Sequence, residues 1–161
     1  MATLPLSGRA AIANAISKRP LHIAWGSGDG AWLTPPSESP SATALQAELG
    51  RRTATQWLFV VPDAAGSISV SSGRYNPSPG NAPTRHLYVT ADFDYAEASS
   101  AVVREVAVFS DTVVASGLPP GQMYFTPGQL THPGIMMYVQ NLVPIFRSPQ
   151  TTENFSVVIT F

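Results

Sequence analysis

The sequence predicts a mainly β fold, a β-sandwich or open barrel of about seven or eight short strands, with two short N-terminal helices. Apolar and polar residues alternate along much of the chain after position 53, and prolines and glycines separate these segments. The length of 161 residues suits one domain with a hydrophobic core. We therefore expect a single structural domain over residues 1–161, with helices within about 7–50 and a β-rich region over about 53–161.

Two segments in the first third have the features of helices. Ser7 is a suitable N-cap for an alanine-rich helix that runs to about Lys18. A second helix is predicted over residues 44–49, because Thr43 and Gln46 have the spacing of a capping box.

The remaining segments are predicted to be strands and loops. The clearest strand covers residues 87–95, where every second residue is apolar. Residues 102–109 are apolar on both faces apart from Arg104 and Glu105, which is typical of a central strand, with 112–115 as its hairpin partner. Further strands are predicted at residues 21–25, 56–61, 67–71, 135–139 and 155–161. The proline-rich segments 34–40 and 73–83 are predicted to be exposed loops.

The composition favours a protein that works within an assembly. Only 12% of the residues are charged, about half the fraction usual in soluble domains. Charged residues are depleted at the cores of interfaces, although a monomer with an uncharged polar surface would have the same composition. The net charge of −1 and the scattered basic residues predict no nucleic-acid partner. No apolar run is long enough for a signal peptide or a membrane span.

The chain contains no convincing catalytic, cofactor or metal motif. It has no cysteine, and its histidines are too far apart for a ligand pair. The glycines of 26–30 are not followed by Lys-Ser or Lys-Thr, so they predict a turn and not a phosphate loop. Asp92, Asp94 and Glu97 are predicted to be solvated, with calcium binding left open. A hydrolase that uses Asp92, Asp94 or Glu105 is the least favoured function.

Arg104 and Glu105 interrupt an apolar strand and therefore require partners. A buried charge costs several kcal/mol unless it is paired, and neighbours on a strand point to opposite faces. We expect Glu105 to bind Arg51 or Arg52 and so to hold the second helix on the sheet.

Aromatic residues suggest an alternative function. Trp32, Tyr75 and Tyr88 would line a sugar-binding groove if their rings were exposed together. A carbohydrate-binding β-sandwich that recognises a host receptor is thus the second hypothesis.

The order of several motifs carries a family resemblance. Ile23-Ala24-Trp25-Gly26-Ser27-Gly28 precedes a segment with Leu45, Glu48, Arg51 and Arg52, then Phe93-Asp94-Tyr95, then Val103-Arg104-Glu105-Val106-Ala107-Val108-Phe109, and finally residues 138–145. This series resembles the N-terminal domain of phage tail-collar fibre proteins and related tail-fibre or baseplate attachment proteins, in which an IA-x-G-x-G turn precedes an L-x-x-E-x-x-R helix and an R-E-containing strand.

The resemblance implies a structural protein of the bacteriophage tail and no enzymatic activity. It implies synthesis in the host cytoplasm, assembly in several copies and contacts with other tail proteins, as an attachment domain, an adaptor or a baseplate component. The candidate interaction residues are Gly26, Gly28, Arg51, Arg52, Arg104, Glu105 and Phe109.

Overall fold

The computed structural model describes residues 2–161 and confirms the mainly β fold. Over these residues it contains one α-helix, α1 (Leu6–Ser17), and twelve strands. The strands are β1 (Leu21–Gly26), β2 (Glu48–Thr53), β3 (Gln56–Pro62), β4 (Ile68–Val70), β5 (Gly73–Pro77), β6 (His86–Phe93), β7 (Val102–Ser110), β8 (Val113–Val114), β9 (Tyr124–Phe125), β10 (Leu130–His132), β11 (Ile135–Phe146) and β12 (Glu153–Thr160). Short 3₁₀ turns cover Pro79–Asn81 and Pro127–Gln129.

The strands form two five-stranded sheets and a two-stranded ribbon. The sheet orders are β11-β7-β1-β2-β9 and β12-β6-β3-β5-β4, and the ribbon joins β10 to β8. The chain separates into two compact units. The first contains the chain up to Arg19, Ala54–Ala91 and Phe155–Phe161, and the second contains Pro20–Thr53 and Asp92–Asn154.

The second unit is built around β7 and β1. Both are interior strands of their sheet, as predicted for residues 102–109, and all six residues of β1 are buried. The two strands pair antiparallel, so Ala24 lies opposite Ala107 and Gly26 lies opposite Glu105. Ala24 and Ala107 form a hydrophobic cluster with Leu45 and Phe109 on one face of this sheet. The apolar content of β7 thus follows from its central position.

The first unit has a core of its own. Val60 on β3, Tyr75 on β5 and Val158 on β12 pack together. The side chain of His86 at the start of β6 reaches the hydroxyl of Thr160, with 2.9 Å between Nδ1 and Oγ1.

The first predicted helix is confirmed, but its capping residue is wrong. Pro5 is the N-cap, with an extended backbone at φ −69° and ψ 163°, and Ser7 lies inside the first turn. Proline fixes φ near −65°, and the Pro5 carbonyl accepts the amide of Arg9 at 3.1 Å. The helix therefore begins before the serine.

The second predicted helix, over residues 44–49, is absent from the structure. Residues from Glu48 onward form β2, which pairs with β1. A six-residue helix is too short to offset the cost of nucleation. The neighbouring strand instead supplies hydrogen bonds to β2, and a side chain of β7 binds the amides of Gln46 and Ala47.

The predicted number of strands and the sandwich or barrel arrangement are also wrong in detail. β9 and β10 contain only two and three residues, too few to show an alternating pattern. The predicted loop 73–83 begins with β5, because Tyr75 is buried. Residues 113–114 pair with β10 and not with β7.

The burial of His22 predicts a loss of stability in acid. His22 is 5% exposed, and burial, followed by the nearby charge of Arg51, lowers its pKa from 6.5 to about 4. Between these pH values the unfolded chain binds a proton that the folded chain excludes. The contribution of His22 to the free energy of unfolding is therefore complete above pH 6.5. It falls by about 3 kcal/mol as the pH decreases towards 4.

Urea denaturation at a series of pH values measures this effect, and His22→Gln should flatten the dependence. A part of the slope should remain in the variant, because burial and Arg85 also lower the pKa of His86. An unchanged slope in His22→Gln would contradict the assignment.

Candidate functional site

The main candidate site is the long loop between β1 and β2, residues 27–47, which we call the clamped loop. It leaves β1 after Gly26 and returns at Glu48, so its two ends lie on neighbouring strands. The Ser27 amide donates a hydrogen bond to the Ala47 carbonyl at 2.9 Å. This bond closes the neck of the loop.

The carboxylate of Glu105 binds both ends of the clamped loop. Glu105 lies on β7 opposite Gly26 and is only 3% exposed. Its Oε1 accepts the amide of Ala47 at 2.8 Å and that of Gly28 at 3.2 Å. Its Oε2 accepts the amide of Gln46 at 3.0 Å. One buried side chain therefore fixes the residues that leave β1 and the residues that enter β2.

Arg104 binds a backbone carbonyl of the same turn. Its Nη1 donates to the carbonyl of Ser27 at 3.2 Å, next to the amide that Glu105 binds. Arg104 and Glu105 thus have separate partners, and both partners are backbone groups. The expected ion pair between Glu105 and Arg51 or Arg52 is not formed within residues 2–161, because backbone amides occupy the carboxylate.

Two glycines make this approach possible. A side chain at Gly26 would overlap Oε1 of Glu105 and the Ala47 carbonyl. Gly28 has φ +56°, a conformation that glycine adopts at little cost, and a β-carbon there would lie 2.6 Å from the ring of Trp32. The two glycines of the Gly-Ser-Gly sequence are therefore required for Glu105 to bind both ends of the clamped loop.

Arg51 organises a second buried cluster. It is 1% exposed, and its guanidinium binds Glu48 through Nε and Nη2, each at 2.8 Å. Nη1 donates to Oγ1 of Thr112 at 2.8 Å and to the carbonyl of Pro133. The guanidinium carbon lies 3.9 Å from the ring centre of Phe109. These contacts connect β2 to the segments that follow β7 and precede β11.

The pairing of Glu48 with Arg51 depends on a bulge in β2. Residues three apart on a regular strand point to opposite faces. Here Trp25 lies opposite Gly50 while Gly26 lies opposite Glu48, so Leu49 is an extra residue in β2. The bulge returns Glu48 to the side of Arg51.

Arg52 has different partners on the other face of β2. Its Nη1 binds Oε1 of Glu97, and Oε2 of Glu97 accepts the amide of Asp94 at 2.9 Å. Arg52 therefore holds the turn after β6. The structure thus brings Gly26, Gly28, Arg104 and Glu105 together, places Arg51 with Phe109, and separates Arg52 from both groups.

The far end of the clamped loop is attached to β11. Oε1 of Glu38 accepts the backbone amide of Asn141 at 2.9 Å, and Nδ2 of Asn141 donates to the carbonyl of Pro36 at 2.9 Å. Leu45, near the returning end, is buried in the cluster with Phe109. Leu33 is 97% exposed. The loop therefore presents an apolar residue to solvent from a fixed base.

Sequence reasoning missed three residues that fix these segments. Glu38 and Asn141 carry the attachment of the loop, and the only signal was that Glu38 is the one charge in the proline-rich segment. Arg147 is 6% exposed and donates to the carbonyls of Asp94 at 2.8 Å and Thr151 at 2.9 Å. No sequence pattern distinguishes Arg147 from a surface arginine.

The structure does not assemble the alternative sites. Asp92 and Asp94 are exposed, and no three His, Asp or Glu side chains within residues 2–161 are grouped to hold a metal ion. Tyr75 is buried and the hydroxyl of Tyr88 lies 3.0 Å from that of Ser156. Trp32 packs against Gly28. In the described part of the chain, no helix has the length and apolar character that crossing a membrane requires.

Comparison with known proteins identifies one family. A family model described as baseplate wedge 3 tail fiber network component matches residues 1–161. No curated protein matches the chain.

Glu105→Gln should destabilise the second unit. The amide nitrogen of glutamine would face N–H groups that now donate to a carboxylate, so at least one buried donor would lose its acceptor. We expect a loss of about 2–3 kcal/mol in urea denaturation. Glu38→Gln is the matched control, because Glu38 is exposed and accepts one amide, and it should cost less than about 1 kcal/mol. Equal losses in the two variants would contradict the role of Glu105.

Alanine at the two neck glycines should be costly. Gly26→Ala should lose about 2 kcal/mol or more through overlap with Glu105, and Gly28→Ala about 1–2 kcal/mol through its backbone conformation. A β-carbon at Gly30 meets nothing within 4 Å, so Gly30→Ala should change stability by less than about 0.5 kcal/mol. Thermal or urea denaturation measures all three. If Gly26→Ala left the stability unchanged, the neck would tolerate a larger distance between Gly26 and Glu105 than the structure has.

Proposed function

The chain belongs to the family of baseplate wedge 3 tail fiber network components, and from this premise we propose that it is a non-enzymatic connector that joins other tail proteins through the clamped loop. The family consists of structural proteins of the bacteriophage baseplate and tail fibres, which places the protein in the virion tail among other tail proteins. Our proposal adds the surface it uses, an adaptor role between baseplate and fibre subunits, assembly in several copies, and synthesis in the host cytoplasm before assembly.

The observation that carries this proposal is the attachment of the clamped loop at its neck and at its far end. Glu105 and the Ser27–Ala47 hydrogen bond fix the neck, and Glu38 fixes the far end on β11. A preorganised loop loses less conformational entropy on binding than a free one. Leu33 is 97% exposed, so its burial in a partner would contribute apolar area that the isolated subunit does not use.

The absence of a role in catalysis is part of the proposal. A general acid or base needs a carboxylate that can exchange a proton with a substrate. The buried carboxylate of Glu105 instead accepts three backbone amides, and that of Glu48 binds Arg51 through both oxygens. Glu105 therefore holds the backbone and Glu48 holds the side chain of Arg51.

Co-expression with the other baseplate and fibre subunits of the same phage tests the proposal. We expect a complex with at least one of them by size-exclusion chromatography and native mass spectrometry. Leu33→Ser should weaken it about tenfold or more. Leu4→Ser is the control, because Leu4 is also exposed, at 47%, but lies outside the loop. A chain that binds no tail component would overturn the proposal.

A further inference from the structure

The charges of the chain are divided unequally between its two compact units. The first unit contains five basic residues and one acidic residue, a formal charge of +4. The second unit contains four basic and nine acidic residues, a formal charge of −5. Surfaces of opposite charge attract and orient each other on encounter. The first unit of one copy is therefore complementary in charge to the second unit of another copy.

The first unit has an apolar groove beside α1, which we call the α1 groove. It has a volume of about 460 Å³ and is lined by Leu6 and Ala10 of α1, by Pro62 at the end of β3 and by residues 83–86 at the start of β6. Leu6 is 66% exposed, so α1 does not fill the groove with its own side chains. Clefts of about 300–1,000 Å³ are the usual size of binding pockets. The groove can therefore accept an apolar side chain from outside.

Arg85 places a positive charge in the α1 groove. Its Nε donates to Nε2 of His86 at 3.1 Å, and Nδ1 of that buried ring lies 2.9 Å from the hydroxyl of Thr160. Because arginine can only donate hydrogen bonds, His86 accepts through Nε2 and so positions the guanidinium. No carboxylate within residues 2–161 forms an ion pair with Arg85. The groove thus combines an apolar lining with a positioned cation that lacks a counter-charge.

The tip of the clamped loop carries the matching groups. Asp29 and Leu33 flank a turn in which the Trp32 amide donates to the carbonyl of Asp29 at 3.1 Å. Oδ1 of Asp29 also accepts the amide of Ala31 at 2.8 Å. Asp29 is exposed, and Leu33 is 97% exposed. The turn therefore presents a carboxylate and an apolar side chain close together, on a loop whose base is already fixed.

We propose that this tip docks into the α1 groove of a second copy of the chain, with Leu33 in the apolar part and Asp29 bound to Arg85. The inference rests on the proposed function, because it uses the clamped loop as a contact surface and names one partner for it. The contact joins two different surfaces, so it is heterologous and adds copies head to tail. In an open series of copies, the loop of the last copy stays available to a different tail protein.

A mixing experiment followed by sedimentation velocity tests the inference, because the two surfaces can be disabled separately. We expect the wild-type chain to self-associate as its concentration rises. Leu33→Ser disables the tip and Arg85→Glu disables the groove, and each variant alone should associate about tenfold or more weakly. An equimolar mixture should form a one-to-one dimer, because the first variant keeps its groove and the second keeps its tip.

Lys18→Glu is the matched control for charge. Lys18 is exposed and belongs to the first unit, but it does not line the α1 groove. Its reversal changes the charge of the unit by the same amount as Arg85→Glu, and self-association should stay within about twofold of the wild type. Three results would overturn the inference: a wild type that is monomeric up to its solubility limit, variants that associate as the wild type does, and a mixture that stays monomeric.

A disulfide test decides the question if Arg85→Glu fails to fold. The chain has no cysteine, so Thr34→Cys beside the tip and Pro83→Cys in the groove each supply one thiol and leave Leu33 and Arg85 in place. Under mild oxidation the mixed variants should form a disulfide-linked heterodimer in excess over both homodimers. Cross-linking without that excess would contradict the docking.

The outcome is separable from that of the proposed function, because the α1 groove is not part of the clamped loop. An Arg85→Glu variant that no longer self-associates but still binds other tail subunits supports both proposals. A wild-type chain that stays monomeric but binds a tail subunit overturns the docking into the groove alone. A chain that self-associates through Leu33 and Arg85 but binds no other tail component overturns the proposed function alone.

Discussion

The structure of the second unit depends on one buried carboxylate. Removing a charge from water costs several kcal/mol, and Glu105 offsets this cost by accepting three backbone amides. Hydrogen bonds to a charged acceptor are about twice as strong as those between neutral groups. The amides come from both ends of one long, proline-rich loop. Their hydrogen bonds therefore offset part of the entropy that is lost when the ends of the loop are brought together.

The position of the clamped loop then determines which of its side chains are buried, bound or exposed. Near its returning end, Leu45 completes the cluster around Phe109. At its far end, Glu38 binds the edge of β11, while Leu33 stays in solvent. The same loop thus buries Leu45 within the subunit and leaves Leu33 exposed.

Some of this arrangement was predictable from the sequence. The central position of residues 102–109 follows from their apolar character, and the need of Arg104 and Glu105 for partners follows from the cost of buried charge. The order of the motifs also predicted a phage baseplate or tail-fibre family, which the family match confirms. The partners of Glu105 were not predictable, because backbone amides carry no sequence signature.

The predictions of secondary structure were wrong where contacts between distant parts of the chain override the local preference for a helix or strand. The capping-box spacing of Thr43 and Gln46 is a local signal, whereas pairing with β1 makes residues 48–53 a strand. The spacing of Glu48 and Arg51 suits a helix, but a bulge brings them to the same side of β2. Short strands such as β9 exist only because a neighbouring strand binds them.

Native-state amide hydrogen exchange tests the central claim most directly. If Glu105 clamps the loop, the amides of Gly28, Gln46 and Ala47 should exchange about as slowly as the interior amides of β1 and β7, although these three residues lie outside any strand. The amide of the exposed Leu33 provides the reference for an open loop. Exchange of the three neck amides at the rate of Leu33 would contradict the account.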